Sequence, residues 1–123
     1  MTPRGLLVAA GLSGALAVAL GAFGAHGLAE SVTPERLATW RTAALYHLAH
    51  ALAMGLAAAL APQWSTRRAG TLFLVGTVVF CGSLYALVLL DLPVLGAVAP
   101  VGGLAFIAGW MSLAWAGWKH PQG

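Results

Sequence analysis

Apolar residues run along this chain in four long blocks, and charged residues fall almost only between them. Gly5 to Ala25 is the first block, bounded by Arg4 and His26. Thr42 to Ala61 is the second, bounded by Arg41 and ended by Pro62. Ala69 to Leu90 is the third, between Arg68 and Asp91. The fourth lies within Leu92 to Trp118, before Lys119. A helix that crosses the hydrocarbon core needs about 20 apolar residues, so each block is long enough to span. Pro93, Gly96 and Pro100 break the start of the fourth block, which places its helix at 99–118 with Pro100 in the first turn. Asp91-Leu92-Pro93 then reads as a turn.

The segment between the first two blocks is different. It carries Glu30, Glu35, Arg36 and Arg41, and Thr33-Pro34 is a good helix start. Nothing breaks the pattern from Pro34 to Ala61, a helix of about 42 Å, longer than the roughly 30 Å core. Its first turns should form a short interfacial amphipathic helix, with Trp40 near headgroup level. The expected fold is all-α: one integral membrane domain over residues 1–123, a four-helix bundle with spans near 5–25, 42–61, 69–90 and 99–118.

Composition agrees: 60% of residues are apolar and 7% charged, far below the roughly 25% charged of a soluble domain. The net charge of +3 comes with no basic stripe, so no nucleic-acid partner is expected. It serves better as topology information. Arg4, Arg67, Arg68 and Lys119 fall on one side, and Arg36 and Arg41 on the other with two glutamates. This bias puts both termini in the cytoplasm. The beginning resembles a signal peptide, but its apolar run exceeds the usual 7–15 residues and reads as an uncleaved first span. Small residues four apart, at Ala17, Gly21 and Ala25 and at Ala51, Gly55 and Ala59, suit close helix packing. The two halves show no repeat of the kind that marks an inverted-repeat transporter.

The few polar side chains at membrane depth are the candidate chemistry. His47 and His50 share a helix face, with Tyr46 beside them and Met54 one turn deeper. His26 closes the first span, and Ser83 and Tyr85 stand near the end of the third, beside Cys81. Counted along their helices, His47, His50 and Tyr85 lie about 8–14 Å from the outer boundary, in one layer. Ionisable residues within spans are costly and often functional. This layer is expected to bind a ligand through His26, Tyr46, His47, His50, Ser83 and Tyr85. A lipid or quinone headgroup is the preferred ligand. Metal held by His47 and His50 and haem are the alternatives, and an oligomeric transporter is a third reading. The same residues could instead form a network that only fixes helix register. Catalysis has little support: Asp91 is the lone Asp and sits in a turn, and no span carries a carboxylate. The lone Cys81 excludes an internal disulfide. Partners beyond membrane lipid would be copies of this chain or a larger membrane complex.

Several stretches carry a resemblance. They are Gly21-Ala22-Phe23-Gly24-Ala25-His26-Gly27-Leu28, Trp40 through Tyr46-His47 to His50-Ala51-Leu52, Gly82-Ser83-Leu84-Tyr85, and Pro100-Val101-Gly102-Gly103 through Phe106 to Gly109-Trp110. Through them the chain resembles a family of small, uncharacterised bacterial inner-membrane proteins with animal relatives, catalogued as a domain of unknown function. Ala99 and Cys81 depart from that pattern, where Thr and Ser are expected. The resemblance implies four transmembrane helices and an inner-membrane location, with no established activity or cofactor. It also implies that His26, His47, His50, Ser83 and Tyr85 belong to shared motifs.

Overall fold

The computed structural model describes residues 1–121. Thr2 caps the first helix by accepting from the Gly5 N–H, and Pro3 occupies the first turn. Helix α1 (Pro3–Phe23) continues through a wide π turn, Gly24–Leu28. Thr33 accepts from the Arg36 N–H at 3.2 Å and starts α2 (Pro34–Leu60), which runs unbroken for 27 residues as the pattern predicts. The third span has two parts, α3 (Arg67–Gly76) and α4 (Gly82–Leu90), joined by a second π turn at Thr77–Cys81. Asp91 ends α4 in the left-handed conformation (φ 52°). A short 3₁₀ turn, Pro93–Ala97, leads into α5 (Ala99–Lys119) with Pro100 in its first turn. The described residues contain no strand. All four spans are long and apolar enough to cross a membrane, so the chain is a multi-pass membrane protein.

The span α2 and the α3–α4 span form the middle of the bundle. Helix α1 lies along α2, and α5 lies against α3 and the second π turn. Small residues make the first interface: Gly55 faces the Ala10 methyl, and Gly14 faces that of Ala51. That is the close backbone approach expected of small residues four apart. On the other side Phe73 lies over Gly109 and Phe106 over Gly76, so each ring occupies the space a Cβ would fill. Gly102 admits no side chain, because a Cβ there would overlap the backbone of Phe80 in the π turn.

The π turns were not expected from the apolar pattern, and each coincides with a side-chain intrusion into the helical hydrogen-bond ladder. The Trp40 indole N–H donates to the Leu20 carbonyl at 2.8 Å, next to the first π turn, and its ring takes the place of any side chain at Gly24. Trp40 is therefore not a lipid-facing anchor. It is 1% exposed, between α1 and α2, with Tyr85 at 4.6 Å between ring centroids. Beside the second π turn, the hydroxyl of Thr77 donates to the Phe73 carbonyl and that of Ser83 to the Phe80 carbonyl. Such bonds to preceding carbonyls bend helices.

Two apolar clusters form the core. One holds Leu6, Ala10, Met54, Phe73 and Phe106, and the other Leu28, Trp40, Leu87 and Val88. Tyr85 packs against both.

Candidate functional site: a polar layer inside the bundle

His47 is the middle residue of α2, and it is buried. One ring nitrogen, Nδ1, lies 3.0 Å from the Tyr85 hydroxyl on α4, and Nε2 lies 3.0 Å from the Ser13 hydroxyl on α1. A hydroxyl can donate or accept. One nitrogen of the neutral ring donates to one hydroxyl while the other accepts from the second, and either tautomer is satisfied. This imidazole thus ties α1, α2 and α4 at one point.

One turn further along, His50 is fixed differently. Its Nδ1–H donates to the Tyr46 carbonyl at 2.8 Å. A carbonyl only accepts, so the hydrogen must be on Nδ1, and Nε2 is left as an acceptor. There the Trp110 indole N–H of α5 donates to it at 3.1 Å. The ring stacks on Phe106 with centroids 3.6 Å apart and an interplanar angle of 14°. His50 is therefore neutral and ties α2 to α5. Together the two histidines join all four spans. Among the described residues no buried polar side-chain atom lacks a partner.

The shared depth of the layer leads one to expect His50 to meet Tyr85; the structure instead pairs Tyr85 with His47, and His50 with Trp110. The two imidazoles share a face of α2 yet point to different neighbours, one to α1 and α4, the other to α5. Ser83 stays outside the network, because its hydroxyl donates to the carbonyl of Phe80 in its own span. Tyr46 contributes its backbone carbonyl to His50, while its ring is 42% exposed and packs on Phe80 at 5.0 Å. His26 stands exposed on the first π turn, and its imidazole joins none of the hydrogen bonds of the layer. Gly82 faces open space, but the Phe80 backbone fills the place beside Gly102. Among the described residues no three His, Cys, Asp or Glu side chains are grouped closely enough to hold a metal ion.

Ser13 and Trp110 are hydrogen-bonding members of the layer that sequence reasoning did not assign to it. Ser13 carried a signal, as the one polar side chain between Gly5 and Ala25. Trp110 closes one of the motif stretches, but nothing in its spacing shows that its N–H would meet an imidazole on α2. Chemically the layer is a set of neutral hydrogen bonds. The Tyr85–His47–Ser13 chain ends on two hydroxyls, and Asp91, nearest in sequence to its α4 end, is bound to Arg36 at 2.9 Å.

Known membrane proteins are similar to this one over most of the chain. The family model described as "Protein of unknown function (DUF423)" matches residues 20–103. The UPF0382 membrane protein YwdK of Bacillus subtilis is 40% identical over 118 residues, 93% of this chain and 96% of its own. The UPF0382 inner membrane protein YgdD of Escherichia coli K12 is 41% identical, over 89% of this chain and 86% of its own. A Staphylococcus aureus UPF0382 membrane protein is 38% identical, over 92% and 94%. No solved structure matches. The matched residues include the two histidines of α2, the first π turn, Tyr85 and Gly102, and with that extent of identity the chain belongs to the DUF423 family of membrane proteins of unknown function.

Proposed function

We propose that this chain is a non-catalytic binding or accessory protein of the inner membrane, in which the His47/His50 layer holds four spans in one fixed arrangement. The observation that carries this reading is the state of the four ring nitrogens: each already has a partner within the chain. A metal ion, a haem iron or a quinone carbonyl would have to displace one of these bonds. In lipid such a displacement leaves a polar group unpaired, at a cost that water cannot relieve.

The test is His50→Leu. It leaves the Trp110 N–H without its acceptor, so the melting temperature in neutral detergent should fall, and the purified protein should show no Soret band or stoichiometric metal before or after the change. Unchanged stability together with loss of a bound cofactor would overturn the reading.

A second reading keeps a ligand in the outer half. What favours it is Tyr46, whose exposed ring borders the His50 stack through Phe106 at 6.3 Å. A lipid or quinone headgroup could approach there without breaking the network. Tyr46→Leu, followed by mass spectrometry of co-purified lipid and quinone, distinguishes the two.

The orientation belongs to the same proposal. Arg4, Arg67, Arg68 and Lys119 favour both termini in the cytoplasm. A reporter that fluoresces only in the cytoplasm, fused after Gly123, should be bright. A dark fusion with an active periplasmic reporter would reverse the topology.

A further inference from the structure

The bundle end that carries the termini holds a cavity of about 620 Å³, within the usual range for small-ligand sites. Its making is local. Pro62 stands just past the end of α2, and the chain turns through Gln63-Trp64-Ser65 into α3. The α5 C-terminus closes the opposite wall. Trp64 stacks on His120 with centroids 3.7 Å apart, and the His120 Nε2–H donates to the Gln63 carbonyl at 3.0 Å. Arg67, Arg68 and Lys119 line the space between these walls, with Trp115 beside them.

Three features of this cavity go together. The first is uncompensated charge. All three acidic side chains of the protein lie at the opposite end, Glu30 before α2, Glu35 in its first turn and Asp91 after α4, and among the described residues the ion pair is Arg36–Asp91 at that end. The second is orientation of the cations. The Arg67 Nε–H donates to the Met1 carbonyl at 2.9 Å, which fixes the guanidinium by one edge and leaves its terminal nitrogens for other acceptors. Lys119 Nζ sits 5.4 Å from the centre of the Trp115 ring, where the ring face holds the ammonium at the rim. The third is the uncapped start of α3. The Thr66 hydroxyl donates inward to the Ala57 carbonyl at 2.7 Å instead of capping, so the first-turn amides of α3 take no side-chain acceptor. Unsatisfied amides at a helix start attract anions.

We propose that this cavity binds a phosphate group, and that the phosphate is the headgroup of an anionic phospholipid. Arg67, Arg68 and Lys119 supply the charge, and Trp64 and Trp115 form the walls. The lipid source follows from level and exposure. Trp115 and Trp118 are 59% and 84% exposed at the end of α5, the position of an interfacial aromatic belt. Exposed Met111 and Trp115 one turn apart give an apolar track along which an acyl chain can lie. Arginine suits a phosphate with its fork of donors. This proposal does not depend on the role of the His47/His50 layer, which lies within the spans.

The experiment uses the full chain in neutral detergent, with phosphatidylglycerol, phosphatidylcholine or inorganic phosphate added, read by native mass spectrometry and thermal shift. Phosphatidylglycerol should be retained in preference to phosphatidylcholine and should raise the melting temperature. Arg68→Gln/Lys119→Gln leaves the Arg67–Met1 bond intact and should weaken that retention by about fivefold for each cation removed. Arg41→Gln, at the opposite end, should not change it. Equal retention by the double variant and the unaltered protein overturns the site. An equal loss in Arg41→Gln overturns it too, since charge anywhere would then suffice. Protection by inorganic phosphate as strong as that by phosphatidylglycerol overturns the lipid assignment in favour of a soluble phosphate. If the double variant fails to fold, Lys119→Gln alone, whose side chain touches the rim at Trp115, carries the same expectation.

Discussion

The middle of the bundle and its terminus-bearing end treat polar groups in opposite ways. In the middle, His47 and His50 are buried, neutral and matched to partners on every neighbouring span. At the end, Arg67, Arg68 and Lys119 are exposed around an open cavity, with no acidic side chain near them. Water explains the difference. Within the hydrocarbon a polar group must be satisfied by protein, and the cost of failing enforces a closed network. At the interface water solvates a free cation, so charge can be left open to an outside partner. The closed region is therefore suited to holding the fold and the open one to recognition.

The sharpest way to break this comparison is at the tightest contact in the closed region. Gly102→Ala puts a methyl group against the Phe80 backbone, which cannot retreat as a flexible side chain would. It should destabilise the bundle by about 3 kcal/mol, the upper end of ordinary overpacking, and shift the protein to aggregates on size-exclusion chromatography. A smaller effect measures the layer itself. His47→Leu, Tyr85→Phe and their double variant form a cycle across the 3.0 Å bond. The coupling should be about 0.6 to 1.7 kcal/mol, as for other hydrogen bonds between membrane helices, read from unfolding in mixed micelles. A coupling near zero would mean that the bond does not hold α2 to α4. The smallest effect belongs to the open end. Arg68→Gln/Lys119→Gln should change stability in lipid-free detergent by less than about 0.5 kcal/mol, because both side chains are exposed and contribute through what they attract. A large loss of stability there would make the basic end a structural element and erase the contrast.

Much of this was legible in the chain. The four apolar runs mark the spans, Thr33-Pro34 marks the start of α2, and Pro100 the start of α5, because each rests on local physics: hydrocarbon thickness, a capping hydroxyl, a proline that suits a first turn. Depth alone places His47, His50 and Tyr85 in one layer, but it points to His50 as the partner of Tyr85, and the structure gives that place to His47. Every cross-span partner is distant in sequence, Tyr85 included at 38 residues from His47, so no local pattern pairs them. Ser13 and Trp110 are 34 and 60 residues from the histidines they bind.

The sequence by itself determined that the protein lives in a bilayer, how many times it crosses, and which few polar side chains must find partners there. Hydrophobicity and helix length are properties of segments, and a segment carries them wherever it packs. Tertiary structure alone decided which partner each polar group found, that Trp40 turns inward to the Leu20 carbonyl, and that the helices widen into π turns where Trp40, Thr77 and Ser83 compete for backbone carbonyls. It also decided that Arg67, Arg68 and Lys119, from two distant segments, converge on one cavity. These outcomes depend on the rotation of each helix about its axis and on its neighbour. Close packing sets both through contacts between residues far apart in the chain, and no local pattern encodes them.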